Sequence, residues 1–393
     1  GIRELSEFGI LTFYNVINYG AALQAYALQE KVKELGKTSE FIRFTDSHAN
    51  DTVAKGLGDY LRALHNVGYS IKTYLTIRKE GRKQNEMFTD FQEKLLNKSQ
   101  KNYLSIEELK ADEASYKGFI TGSDMVWSDI GQNLEVYFLT FAPKIKRLSY
   151  APSLTGRDGE TLEEKEKYAN WINQISYLSC REQYGVDYIR QNTGREAKKV
   201  VDPTLLFDKS QWKEKLTLSE KKEKPYILCY LFRGITRSLE RKVKQYAKDQ
   251  GMEIKYIPMS PRERMHNLKH GFSAAYGPKE FVEEFLNAEL VFTNSFHGLL
   301  FSLIMNKPFY LLHRGEGNEW AKHEERMTNI LTQLDLQNRF VFENQLPQSA
   351  DLFVDYDTVN EKIKLLRNDS ISYLSNAINS VESDNNDQIG GMI

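Results

Sequence analysis

The sequence predicts an α/β protein of two doubly wound, Rossmann-like units that face each other across a cleft. Three observations predict it. At 393 residues the chain is long for one hydrophobic core. Short apolar strands alternate with amphipathic helices in two series, one opening at Phe8 and one at Tyr226, the pattern of parallel sheets. Between the series, residues 208–224 are polar and lysine-rich, the texture of a linker. This sets the first unit at 1–207 and the second at 225–345.

Residues 8–13 read as a strand, 14–20 as a turn, 21–35 as a helix stopped by Gly36, and 41–44 as a returning strand. In such a βαβ opening, ligands meet the carboxyl ends of the strands. Asn18, Tyr19 and Gly20, with Asn15 and Gln24, therefore stand where a ligand is read. Asn18 and Gly20 serve equally well as plain turn builders. The turn lacks G-x-G-x-x-G spacing, so no dinucleotide is expected.

Residues 46–101 differ in texture, with Gly56, Gly58 and Gly81, amphipathic spacing at Tyr60, Leu61, Leu64, Tyr74 and Leu75, and the basic run Arg78, Lys79, Arg82 and Lys83. An inserted helical pair with a solvated charged face is expected; a basic segment lying on a membrane surface is the alternative. Ser105 and Glu108 have capping-box spacing. The strand at 118–121 ends on Gly122-Ser123-Asp124, where Asp124 either caps a following helix or faces the cleft. A strand at 175–180 leaves Arg181 and Glu182 at its carboxyl end. A guanidinium there suits a phosphate or carboxylate, which its planar fork grips bidentately; a pair with Glu182 is the plainer account. Residues 200–204, VVDPT, close the unit.

In the second unit, 226–232 and 253–257 read as strands around a helix at 239–250. Residues 258–277 read as an irregular, mobile rim. His266 and His270 are four apart within it, but no third ligand is grouped with them, so no metal site is expected. Pro278 opens a helix to Leu286. Residues 289–312, ELVFTNSFHGLLFSLIMNKPFYLL, follow as strand, tight turn, helix and strand. The turn brings Ser295, Phe296, His297 and Gly298 to a helix N-terminus, where the N–H groups of Gly298 and Leu299 and the helix dipole favour an anion. His297 is the candidate acid or base near neutral pH. Arg326 begins the helix at 324–334. Two helices, to about 366 and from 370 to 381, and a disordered polar tail at 382–393 are expected to end the chain.

Basic and acidic residues number 53 and 54, a net of -1, which argues against a dedicated nucleic-acid binder and leaves room for a local cationic cluster. Two cysteines, Cys180 and Cys229, suit a reducing compartment. No apolar run is long enough to span a bilayer and no signal-peptide pattern opens the chain, so a cytoplasmic protein is expected.

The TNSFHG turn with its apolar helix and KPF resembles the signature T-[D/N]-[S/R]-x-H-G of the polysaccharide pyruvyl transferase family. Four further matches follow in the family's order: GILTFYNVINYGAALQAYALQ at 9–29, FITGSDMVW at 119–127, LSYAPSLTG at 148–156 and VVDPTLLFD at 200–208. The resemblance implies a glycosyltransferase-B-like architecture with the site split between units, and closure on binding. It implies transfer of a pyruvyl group from phosphoenolpyruvate to a hexose of a cell-surface saccharide, or its lipid-linked precursor at the inner face of the membrane, with no cofactor. It makes His297 the catalytic residue. Substrate binding is expected, from position, at Ser295, Phe296, Gly298, Asn18, Tyr19, Gly20 and Asp124, and the resemblance adds Arg181, through an S-x-R-[D/E] element with Ser179 and Glu182, and Arg326. Two positions depart from the family: Met125 replaces a Gln, and Ser295 stands where some members carry Arg. The alternatives are a nucleotide-sugar-dependent glycosyltransferase and a non-catalytic saccharide-binding protein. The first needs a nucleotide pocket with a well-placed Glu, and Glu316 and Glu319 lie in a loop. The second leaves the imidazole unexplained.

Overall fold

The computed structural model describes residues 6–44, 70–128, 134–154, 159–315 and 318–390. The expected amphipathic positions Tyr60, Leu61 and Leu64 lie outside the described residues.

Two parallel five-stranded sheets organise the protein. β1 (Phe8–Leu11), β2 (Ser39–Phe44), β3 (Lys98–Tyr103), β4 (Gly118–Thr121) and β5 (Arg147–Ser149) take the order β3-β2-β1-β4-β5. A short parallel pair, β6 (Ser179–Cys180) and β7 (Lys198–Lys199), stands apart. β8 (Tyr226–Tyr230), β9 (Glu253–Tyr256), β10 (Leu290–Thr293), β11 (Phe309–Leu312) and β12 (Phe340–Val341) take the order β12-β11-β10-β8-β9.

The central strands, FGIL, GFIT, LVFT and FYLL, are buried throughout, as strands covered on both faces must be. Along β8 the faces alternate. Ile227 and Cys229 pack with Leu239, Val243 and Tyr246, whereas Tyr226, Leu228 and Tyr230 pack with Phe281 and Leu300. Both sheets are therefore doubly wound. Strand order reverses between β1 and β4 in one sheet and between β8 and β10 in the other, the switch points where such folds bind ligands. The chain leaving β1 meets the chain leaving β10, so the carboxyl ends of the two sheets face each other.

Several local expectations change. The first helix, Tyr19–Glu34, starts two residues early because the Asn18 side chain accepts the Ala21 N–H at 2.9 Å and caps it. The end of the expected helical insert, from Lys98, is the edge strand β3. The linker contains a helix, Lys209–Leu216, closed by a capping box of Asp208 and Gln211. The expected rim loop contains the helix Pro261–Lys269, with Ser260 as its cap and proline at its first position. His266 and His270 turn to the carbonyls of Ile254 and His266, at 2.9 and 2.8 Å. The chain ends in one helix, Tyr356–Gly390, instead of two helices and a disordered tail. Ser370 lies inside it, its hydroxyl donating back to the Leu366 carbonyl at 2.9 Å.

Two helices bind the sheets together. The helix Ile71–Leu95 sets Phe88 against Tyr19 and donates from Gln92 to the Tyr14 carbonyl on one side. On the other side Gln84 accepts from Arg264 at 2.6 Å. Arg78, Lys79, Arg82 and Lys83 are exposed on it, the solvated face expected. The helix Tyr356–Gly390 begins with the Tyr356 hydroxyl donating to the Ser302 carbonyl, and farther along Tyr373 donates to the Ser149 carbonyl at 2.8 Å. One apolar cluster runs through both units, and Trp212 of the linker helix touches Tyr26 on one side and Phe301 on the other. The closure expected of a site split between units is thus set against an apolar contact that joins them. No described helix is long and apolar enough to cross a membrane.

Candidate active site

The site starts where β10 ends. Ser295 caps the helix Phe296–Ile304: its side chain accepts the Gly298 N–H at 3.3 Å and its carbonyl accepts the Leu299 N–H at 2.9 Å. Both N–H groups expected to hold an anion are therefore spent inside the helix. Gly298 is fixed by packing, because a Cβ there would lie 2.2 Å from the Thr293 hydroxyl and 3.1 Å from the Tyr230 ring.

His297 reaches across to the first unit. Its Nε2 lies 3.2 Å from Oδ2 of Asp202. A carboxylate can only accept, so Nε2 carries a proton toward Asp202. Nδ1 rests against Gly20, at the first turn of the helix Tyr19–Glu34, where a Cβ would lie only 2.1 Å from it. Gly20 is thus the residue that lets the imidazole approach. Gly20→Ala is expected to push the ring off Asp202 and to lower stability by roughly 1–3 kcal/mol, as overpacking does. Denaturant unfolding checks this, and a variant as stable as the parent would contradict the contact.

Asp202 is the hub. Oδ2 also accepts from Arg181 Nη1 at 2.8 Å, and Oδ1 accepts the Thr204 N–H at 3.0 Å and hydroxyl at 2.7 Å. Burial alone would raise its pKa, but His297 and Arg181 override this and hold the carboxyl well below the usual range. Arg181 gives Nε to Glu182 Oε1 at 3.0 Å. Burial would depress Arg181, and Glu182 and Asp202 reverse that, keeping it firmly charged. Two edges of its fork are taken, so the expected bidentate grip on a ligand is not available; only Nη2 is left unpartnered.

Arg326 comes from the helix Asn318–Leu334, and its guanidinium and that of Arg181 lie 5.2 and 4.7 Å from the buried Phe296 ring. Its Nε is likewise buried without a hydrogen-bond partner. Burial, reinforced by Arg181, pushes its pKa down to about 10.

The remaining expected residues divide. Asn18 is exposed and works as a helix cap. Tyr19 is buried between the units, not open to a ligand: its hydroxyl donates to the Tyr276 carbonyl at 3.1 Å, and its ring stacks on Phe281. Asp124 precedes a turn, not a helix, and its Oδ1 accepts the Met125 N–H at 2.9 Å. Its charge is among those that raise Arg181. Gln24 is scaffold, bonded to Thr12 and to the Ser123 N–H. The structure thus brings His297, Gly20, Arg181, Phe296 and Arg326 together.

Asp202 was missed. An acid directly after the apolar pair Val200 and Val201 was the available signal, and it was read only as the end of a domain. No group of three or more potential metal ligands occurs among the described residues.

Comparisons with known proteins agree with this frame. The family model described as polysaccharide pyruvyl transferase matches residues 18–314, and the chain belongs to that family. A search of curated proteins returns no match. Among solved structures, UDP-GlcNAc 2-epimerase from Neisseria meningitidis is similar at 9% identity, covering 95% of this chain and 93% of its own, with a TM-score of 0.48. The wall teichoic acid polymerase TagF is similar at 10% identity, 98% and 90% coverage and a TM-score of 0.44. The E. coli heptosyltransferase WaaC is similar at 9% identity, 79% and 88% coverage and a TM-score of 0.36. Likenesses this distant say nothing about chemistry.

Proposed function

We propose that this member of the polysaccharide pyruvyl transferase family transfers a pyruvyl group from phosphoenolpyruvate to two hydroxyls of a hexose in a saccharide, giving a cyclic ketal and phosphate. One observation carries the reading: an imidazole oriented by a buried carboxylate stands beside two guanidinium groups that each have a buried, unpartnered nitrogen. That is an acid–base group next to an anion site, which this donor needs.

The chemistry balances without redox change. One sugar hydroxyl adds to the central carbon of the donor, and its proton ends on the methylene carbon, which becomes methyl. The second hydroxyl then displaces phosphate, which leaves with the second proton. His297 takes the hydroxyl proton on Nδ1 and returns it to the methylene carbon, while Asp202 stabilises the imidazolium between the two transfers. Arg181 and Arg326 hold the donor's anionic groups, Arg181 through Nη2 alone. Nδ1 touches Gly20 in this arrangement, so the first turn of the helix Tyr19–Glu34 draws back to admit the substrate.

A thermal-shift screen tests the donor class, because a ligand stabilises the state that binds it. Phosphoenolpyruvate is expected to raise the melting temperature and nucleotide sugars to leave it unchanged. The opposite ranking would favour a glycosyltransferase.

A further inference from the structure

Resting on that reading, we propose that Lys199 and Arg326, with Nη2 of Arg181, form a phosphate subsite in the cavity behind Phe296, which holds the donor's phosphate and then the released ion. All three cations line this one cavity, together with Asn329 and Gln333. They come from three different elements: the end of β6, the end of β7 and the helix Asn318–Leu334.

Each cation is held in place. Arg181 and Arg326 lie by the Phe296 ring, and Lys199 Nζ donates to Asn329 Oδ1 at 3.1 Å. That same oxygen receives the Gln183 N–H at 3.4 Å, so Asn329 is itself fixed.

Asp124, Glu182 and Glu325 face these cations as well, and the acids nearest them are mostly bonded elsewhere. Asp202 is committed to Arg181, His297 and Thr204, and Glu182 to Arg181. Asp369, at the rim, pairs with Lys198 at 2.8 Å. Burial depresses the pKa of both Lys199 and Arg326, against the opposing pull of Glu325 and Glu182 on the lysine and of Glu182 and Asp124 on the arginine. A bound dianion would accept from the buried, unpartnered nitrogens of Arg181 and Arg326. Of the donor's two anionic groups, the phosphate carries the greater charge and more acceptor oxygens, so three convergent cations suit it better than the carboxylate. The carboxylate is left to the His297 side.

Calorimetric titration of the full chain with inorganic phosphate tests this without requiring turnover. Wild type is expected to bind. Lys199→Gln and Arg326→Gln are each expected to weaken binding by about tenfold or more, the loss of one charge-assisted contact. Lys199→Arg, which keeps the charge, should retain most of the affinity and serves if Lys199→Gln folds poorly. Phosphate binding of equal strength in folded Lys199→Gln and Arg326→Gln, or none in wild type, would overturn the subsite. The two readings separate cleanly. Phosphate binding lost in the variants, with no pyruvyl transfer by wild type, keeps the subsite and removes the proposed reaction. Pyruvyl transfer with an unchanged donor KM in Lys199→Gln keeps the reaction and removes the subsite.

Discussion

Asp202→Ala is expected to destabilise the protein by roughly 3–5 kcal/mol, the cost of leaving a buried charge without its partner. The carboxylate is fully buried and joins Arg181 of the first unit to His297 of the second. Its removal leaves the Arg181 guanidinium with Glu182 alone in a site closed to water. Asp202→Asn should cost less, since the amide oxygen still accepts from Thr204. The pH dependence has a definite sign. The folded-state pKa of Asp202 is depressed, so its contribution is full above the ordinary carboxylate pKa of about 3.9 and is lost as pH falls below it. Denaturant unfolding at neutral and acidic pH should therefore show the wild-type advantage over Asp202→Asn shrinking with acid. An advantage independent of pH would mean that Asp202 does not carry its charge in the fold.

His297→Asn is expected to fold, to bind phosphoenolpyruvate, and to lose transfer by on the order of a hundredfold or more, the scale of general acid–base catalysis. Asparagine keeps a polar group facing Asp202 but cannot move a proton near neutral pH. The loss should appear in kcat, with donor affinity by calorimetry little changed, because the cations that hold the donor are untouched. Near-normal turnover in the folded variant would reduce His297 to a residue that fixes a turn and bridges two units.

Much of the architecture was legible in the sequence because its signals are local. Apolar four-residue strands, the Gly36 stop, Pro278 and the TNSFHG turn each act within a few residues. The corrections arose where tertiary contacts decide. Trp212 anchors a helix in a polar linker by burying itself between Tyr26 and Phe301, and the local capping signal of Asp208 and Gln211 was outweighed by the polar composition around it. A helix start was expected at Ser370, yet the residue sits within a longer helix. In the site, His297 and Arg326 were legible from turn and helix position. The fork of Arg181 was read as open because its main partner, Asp202, is 21 residues away in sequence. Gly20 was legible as a glycine in a turn, but its purpose, space for an imidazole from the other unit, is a contact that no spacing rule reports.

The central claim is that a proton-transferring imidazole and a cluster of guanidinium groups serve pyruvyl transfer from phosphoenolpyruvate. Mass analysis of a saccharide acceptor, incubated with the protein and phosphoenolpyruvate while phosphate is quantified, tests it most directly. The account predicts an acceptor carrying a pyruvyl ketal, one phosphate released per ketal, and neither product with His297→Asn on the same time scale. An acceptor unchanged by phosphoenolpyruvate but extended by a sugar when a nucleotide sugar is supplied would contradict it.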